Sequence, residues 1–209
     1  MKRDRRAHPR GRPVARGAAL SPAELRRHTD MALLGMRVFL ISLTVLFMAS
    51  LVGYLAVRAQ AASWPPAGAP SLPKGLWAST ILLLVSSGAM QRALVEARKA
   101  GPGSLGAWLT ATLLLGVAFL VSQVLNWRVL IAQQMTVRSS LYALTFYCLT
   151  ALHGLHVIGG LVGLSLVLSR AIRGIYSPAS HLGVRLMAMY WHFLDVVWLV
   201  LFTAMFLIA

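Results

Sequence analysis

Residues 141–168, LYALTFYCLTALHGLHVIGGLVGLSLVL, decide the fold. The run carries no Lys, Arg, Asp or Glu. A hydrocarbon layer of roughly 30 Å is crossed by about 20 predominantly apolar residues in a helix, so this segment spans a membrane. Reading outward, four further runs of the same kind occupy about 34–57, 76–95, 107–125 and 186–208. The expected fold class is an all-α integral membrane bundle of five transmembrane helices. The composition agrees: 58% of the 209 residues are hydrophobic, 12% are charged and only five are acidic. A soluble domain of this size could not build its surface from that set.

The breaks between the runs have causes. Residues 62–75 carry Pro65, Pro66, Pro70 and Pro73, which remove backbone donors and fix φ, so no helix continues through them. Gly101, Pro102 and Gly103 read as a tight turn, and Ser177-Pro178 lies in the last connection. Residues 1–30 mix Gly, Pro and Arg without periodicity and read as a basic, mostly disordered tail ahead of a membrane domain over 31–209. The tail lacks the apolar core of a cleaved signal peptide.

The formal net charge of +15 raises nucleic acid as a partner, but the position of the charge excludes it. Basic residues flanking membrane helices are retained on the cytoplasmic side and meet anionic lipid heads there. Sixteen of the 20 Lys and Arg fall on the side of the tail, and Arg58, Lys74, Arg128 and Arg138 fall on the other. This asymmetry predicts a cytoplasmic N-terminus and a C-terminus outside. Cys148 is the single cysteine and lies inside a span, so it forms no internal disulfide. Arg92 and Glu96, at i and i+4, read as an interfacial pair at the end of the second span.

Ionisable groups in hydrocarbon are expensive, so each needs a partner or a purpose. The last two spans concentrate them. His153 and His156 are three apart on one helical face, and His192 and Asp195 repeat the spacing. At about 1.5 Å per residue, Asp195 lies about 15 Å in from Arg185 and His156 about 21 Å in from Arg170, so the two pairs reach similar depth. Three readings stay open. The groups hydrogen-bond one another and pin the fourth span to the fifth; or the histidines ligate haem or a metal; or they relay protons. Metal ligation is handicapped, because a closed site wants about four ligands and a haem wants a histidine from each side. No acidic continuation reaches either surface for a relay. Gly159 and Gly163 form a G-x-x-x-G pair, with Gly154 and Gly160 nearby, which implies close helix packing. Trp191 and Trp198 flank Asp195 and give the last span an aromatic face for packing or for a partner.

Two motifs now carry a resemblance. His153-Gly154-Leu155-His156-Val157 with Gly159 and Gly160 resembles the histidine-rich helix of cytochrome c oxidase subunit III. Tyr190-Trp191-His192-Phe193-Leu194-Asp195-Val196-Val197-Trp198-Leu199 resembles the last helix of the same family. Leu34-Gly35-Met36, Phe39-Leu40 and Ser42 look like the first span of the short, five-helix form, and Gln123 with Trp127 resembles a pattern near the end of the third. The sequence departs from the family at Leu43 and Asn126, where members often carry glutamate, leaving Asp195 as the one acidic group in the hydrocarbon.

The resemblance implies an accessory subunit of a proton-pumping haem–copper terminal oxidase in the bacterial inner membrane. It implies partner subunits I and II that carry the haems and copper, bound phospholipid, and no redox cofactor, metal or catalytic residue in this chain. On this reading His153, Gly154, His156, Gly159, Gly163, Tyr190, Trp191, His192, Asp195 and Trp198 are a structural signature. The alternatives are subunit III of a ubiquinol oxidase, a homologue accompanying a nitric oxide reductase, or a free-standing membrane transporter.

Overall fold

Five helices account for the fold: α1 (Pro22–Ala59), α2 (Gly75–Glu96), α3 (Leu105–Ala132), α4 (Leu141–Ile172) and α5 (Leu182–Leu207). The structure is a computed structural model and describes residues 22–99, 104–178 and 180–207. All five helices are long and apolar enough to cross a membrane. The Gly101–Gly103 turn and the tail before residue 22 lie outside the described residues.

The helices run past the expected spans where nothing in the sequence stops them. α1 starts at Pro22, well before Leu34, and takes in the last part of the segment expected to be an unstructured tail. Proline suits the first helical position, where its missing N–H has no partner to lose, and Glu24 complements the helix dipole in the first turn. The helix ends that the sequence does mark are built in recognisable ways. The Ser140 hydroxyl caps α4 by accepting from the Ala143 N–H at 3.1 Å. At the other end Gly174 takes φ +69°, and the Ile175 N–H returns to the Arg170 carbonyl at 3.1 Å, closing the last turn.

Packing runs around a ring. α2 lies against α3 and α5, α3 against α4, and α4 against α5, while α1 leans from outside on α4 and α5. Trp191, Trp198, Phe119, Phe146, Leu83 and Met90 fill the middle of the ring. The Pro-rich connection after α1 folds back as a plug. The Trp64 indole donates to the Tyr54 hydroxyl at 3.2 Å and meets the Tyr142 ring edge-on with centroids 5.0 Å apart. At the opposite end, Glu96 pairs with Lys99 at 2.5 Å, and Arg92, the i, i+4 partner expected from spacing, acts on it by charge without a direct bond.

Candidate functional site

The two motifs meet at Trp191, whose indole touches all the other helices of the ring. Its Nε1–H donates to the Ser86 hydroxyl on α2 at 3.1 Å. Its ring fills the space beside Gly116 on α3, where an added Cβ would stand 2.8 Å from it, and beside Gly160 on α4, where the figure is 3.1 Å. Without a hydrophobic drive between helices in lipid, such close approach at small residues is what holds a bundle together. Of the glycines expected to pack closely, Gly163 faces the Met187 sulfur, with a Cβ distance of 3.3 Å. Gly154 and Gly159 are roomier, with nearest atoms 3.9 Å away. Gly116 forms no G-x-x-x-G pair, only a weaker small-residue spacing with Thr112, and the sequence reading missed it.

The histidines do not gather. The His153 ring is fully buried in an aromatic box, with ring centroids 5.1 Å from Trp198, 5.7 Å from Phe119 and 6.4 Å from Phe47. Neither of its nitrogens has a hydrogen-bond partner among the described residues. His156 Nδ1 bonds the carbonyl of Leu152 in its own helix at 2.7 Å, and its ring lies against Phe47. His192 turns the other way, to α2, with Nδ1 2.8 Å from the Ser87 hydroxyl and Nε2 3.3 Å from Gln91 Oε1. Asp195 is buried, with neither carboxyl oxygen hydrogen-bonded among the described residues, and its nearer oxygen lies within ion-pair range of His192 Nδ1 at 3.7 Å.

A His–Asp–His chain pinning the fourth span to the fifth is therefore absent from the described residues. The reason is angular: successive residues on a helix turn by about 100°, so His192 projects to the α2 side while Tyr190 projects to α4. Tyr190 makes the α4–α5 bond instead, donating its hydroxyl to the His156 carbonyl at 2.9 Å. Among the described residues no three His, Cys, Asp or Glu side chains come together as a metal-binding group.

Other polar side chains stitch the ring in the same manner. The Trp198 indole donates to the Thr80 hydroxyl at 3.0 Å. Asn126 donates to Ser79 at 3.1 Å, and Ser79 meets Ser122 at 2.9 Å, joining α2 to α3. Trp127 donates to Thr150 at 3.2 Å between α3 and α4. Asn126, one of the departures from the family pattern, thus holds a helix contact, and its side chain occupies the space a Cβ at Gly75 would need.

This arrangement is a scaffold stitched by tryptophan and hydroxyl pairs. Comparison with known proteins gives it a family, since the model described as cytochrome c oxidase subunit III matches residues 12–209. The chain belongs to the cytochrome c oxidase subunit III family. A cytochrome c oxidase subunit 3 of Synechocystis sp. is 36% identical over 87% of this chain and 77% of its own length. That of Thermostichus vulcanus is 32% identical over 95% of this chain and 98% of its own. A probable cytochrome c oxidase subunit 3 of Mycobacterium leprae is 34% identical over 86% and 89%. Subunit III membership makes this chain a multi-pass component of an oxidase complex.

Proposed function

We propose that this chain is the accessory subunit III of a proton-pumping haem–copper terminal oxidase in the bacterial inner membrane. It packs beside catalytic subunit I, in a complex with subunit II, and supports proton uptake and the integrity of the assembly. The haems and copper belong to those partners. Its N-terminus lies in the cytoplasm with the basic tail, and its membrane domain follows from about residue 31. The names of the relatives favour cytochrome c as the electron donor.

One observation carries this reading: the aromatic side chains of the last-helix motif spend their polar atoms and their volume on neighbouring helices. Trp191, Trp198 and Tyr190 each donate across a helix interface, and His153 is enclosed by aromatic rings. Residues so engaged hold a shape and are not poised around a reacting centre. An apolar groove of about 800 Å³ between α1 and α4, lined by Ser50, Tyr54, Cys148 and Leu152, is suited to the acyl chain of a phospholipid.

The test is isolation in mild detergent through a tag on the N-terminal tail, followed by an optical spectrum and identification of co-purifying chains. Haem and copper arriving with two larger membrane subunits is the expected result. A colourless protein that purifies alone from native lipid discs would overturn the proposal and favour a free-standing transporter.

A further inference from the structure

Three aromatic rungs hold α1 to the bundle. Phe39 stacks on Tyr190 of α5 with centroids 6.0 Å apart, and Phe47 meets His156 of α4 at 5.0 Å. The third rung, nearest the connection to α2, is bridged by a residue of that connection. Trp64 stands edge-on to Tyr54 of α1 at 5.5 Å and to Tyr142 of α4 at 5.0 Å. Of the five helices α1 buries the smallest share of its span, so its attachment depends on few contacts.

The groove of about 800 Å³ between α1 and α4 opens between the second and third rungs. Ser50, Gly53 and Tyr54 form one wall, and Cys148 and Leu152 lie on the other. Beneath Trp64 lies a smaller cavity of about 250 Å³, lined also by Gln60, Ala61 and Leu141. Val57 lines both spaces, so they adjoin. Tyr54 walls the groove, Trp64 walls the cavity, and the bond between the two residues stands where the spaces meet.

The segment that carries Trp64 is loosely tied. Pro65 and Pro66 have no N–H to give. Among the described residues no backbone hydrogen bond joins residues 62–68 to a helix. The one backbone bond they take part in runs from the Ala69 N–H to the Pro66 carbonyl at 3.0 Å. The Trp64 indole bond to Tyr54, at 3.2 Å, is thus their single hydrogen bond to the bundle among the described residues. Ala69 and Leu72, nearer α2, pack on the core and anchor the far half of the connection. A ring held by one hydrogen bond and two edge contacts can leave its seat without unfolding a helix, because local opening is easiest where few contacts must break.

We infer that Trp64 is a releasable gate at this end of the α1–α4 groove. Seated, its ring fills the gap between Tyr54 and Tyr142 and closes the groove against the aqueous phase beyond the connection. Swung out, it joins the cavity to the groove and frees the end of α1 from α4, so that water and polar solutes reach the groove wall. This gating goes beyond the proposed function and does not depend on the oxidase assignment.

Cys148, the single cysteine, reports the gate: it is exposed on the groove wall, about 10.5 Å along α4 from Leu141. The full chain in lipid nanodiscs is treated with a charged, water-soluble maleimide, and the rate of Cys148 alkylation is read from the mass of the chain. Trp64→Ala should raise that rate several-fold. Trp64→Phe, which keeps a ring and loses the donor, should fall between Trp64→Ala and the parent. A Trp64→Ala rate equal to the parent's, or a parent rate equal to that of the chain unfolded in SDS, would overturn the inference. The control is Val121→Cys combined with Cys148→Ala, which reports the exposed face of α3. Its rate should not respond to Trp64→Ala; a rise as large as that at Cys148 would mean that the whole bundle loosened and would overturn the gate. If circular dichroism shows that Trp64→Ala has lost its helices, Trp64→Phe decides alone, and a rate equal to the parent's overturns the inference.

Discussion

The Trp191 indole and Gly116 occupy one another's space: a Cβ on the glycine would stand 2.8 Å from the ring of the tryptophan. The same residue change also meets Leu161 at 2.9 Å. Gly116→Ala therefore overpacks the ring of helices and costs about 1–3 kcal/mol. Thermal unfolding of the purified complex should register a loss for Gly116→Ala and almost none for Gly154→Ala, whose Cβ has ordinary room at 3.9 Å.

Removing Trp191 itself has two separable parts. Trp191→Phe keeps most of the ring and deletes the donor to Ser86, at a cost of about 0.5–1.5 kcal/mol. Trp191→Ala opens a cavity at the junction of four helices and costs about 3–5 kcal/mol. Denaturation of the two variants in the same detergent checks the order; equal losses would mean that the ring's volume is not what matters.

Ser140→Ala removes the cap of α4, since its hydroxyl accepts from the Ala143 N–H. The expected cost is about 1 kcal/mol, read as faster hydrogen exchange in the first turn of α4 with the distant end of the helix unaffected.

Neither His153 ring nitrogen is hydrogen-bonded among the described residues, so its contribution is packing among Phe47, Phe119 and Trp198. His153→Leu conserves much of the volume and changes stability by less than about 1.5 kcal/mol. Assembly with haem-bearing partners should persist in this variant, followed by the haem-to-protein ratio after purification. Loss of haem in proportion to the substitution would assign the ring a ligand or relay part.

Asp195→Asn tests the last acidic group in the spans. Its carboxyl oxygens have no hydrogen-bond partner among the described residues, so an amide of the same shape leaves the α2–α5 packing intact. Unchanged complex yield and oxygen consumption are expected, whereas a fall in turnover at normal yield would place Asp195 in proton uptake.

The five helices were legible because hydrocarbon thickness imposes a length on any spanning segment and proline interrupts it visibly. Their ends were less so: α1 begins at Pro22 because residues 23–33 are tolerable in a helix even where they are too polar for lipid. The importance of Trp191 and Trp198 was also readable, as two indoles on one face of an apolar helix. What they bond was not. Ser86 and Thr80 are hydroxyls in a transmembrane helix, where a bond to their own backbone is always available, and only the tertiary arrangement brings indole donors to them. Gly116 was nearly silent for a similar reason, since its only small-residue spacing is with Thr112, whose hydroxyl can bond its own backbone. The i, i+3 rule placed His192 and Asp195 on adjacent turns correctly: they stay within ion-pair range at 3.7 Å, while the hydrogen bond of His192 Nδ1 goes to the Ser87 hydroxyl.

The central claim is that this subunit shapes and stabilises an oxidase without carrying a redox centre. It is tested most directly by stripping the chain from the purified complex and measuring haem and copper in both fractions. All haem and copper staying with the remaining subunits is the predicted result; haem or copper leaving stoichiometrically with this chain would contradict it.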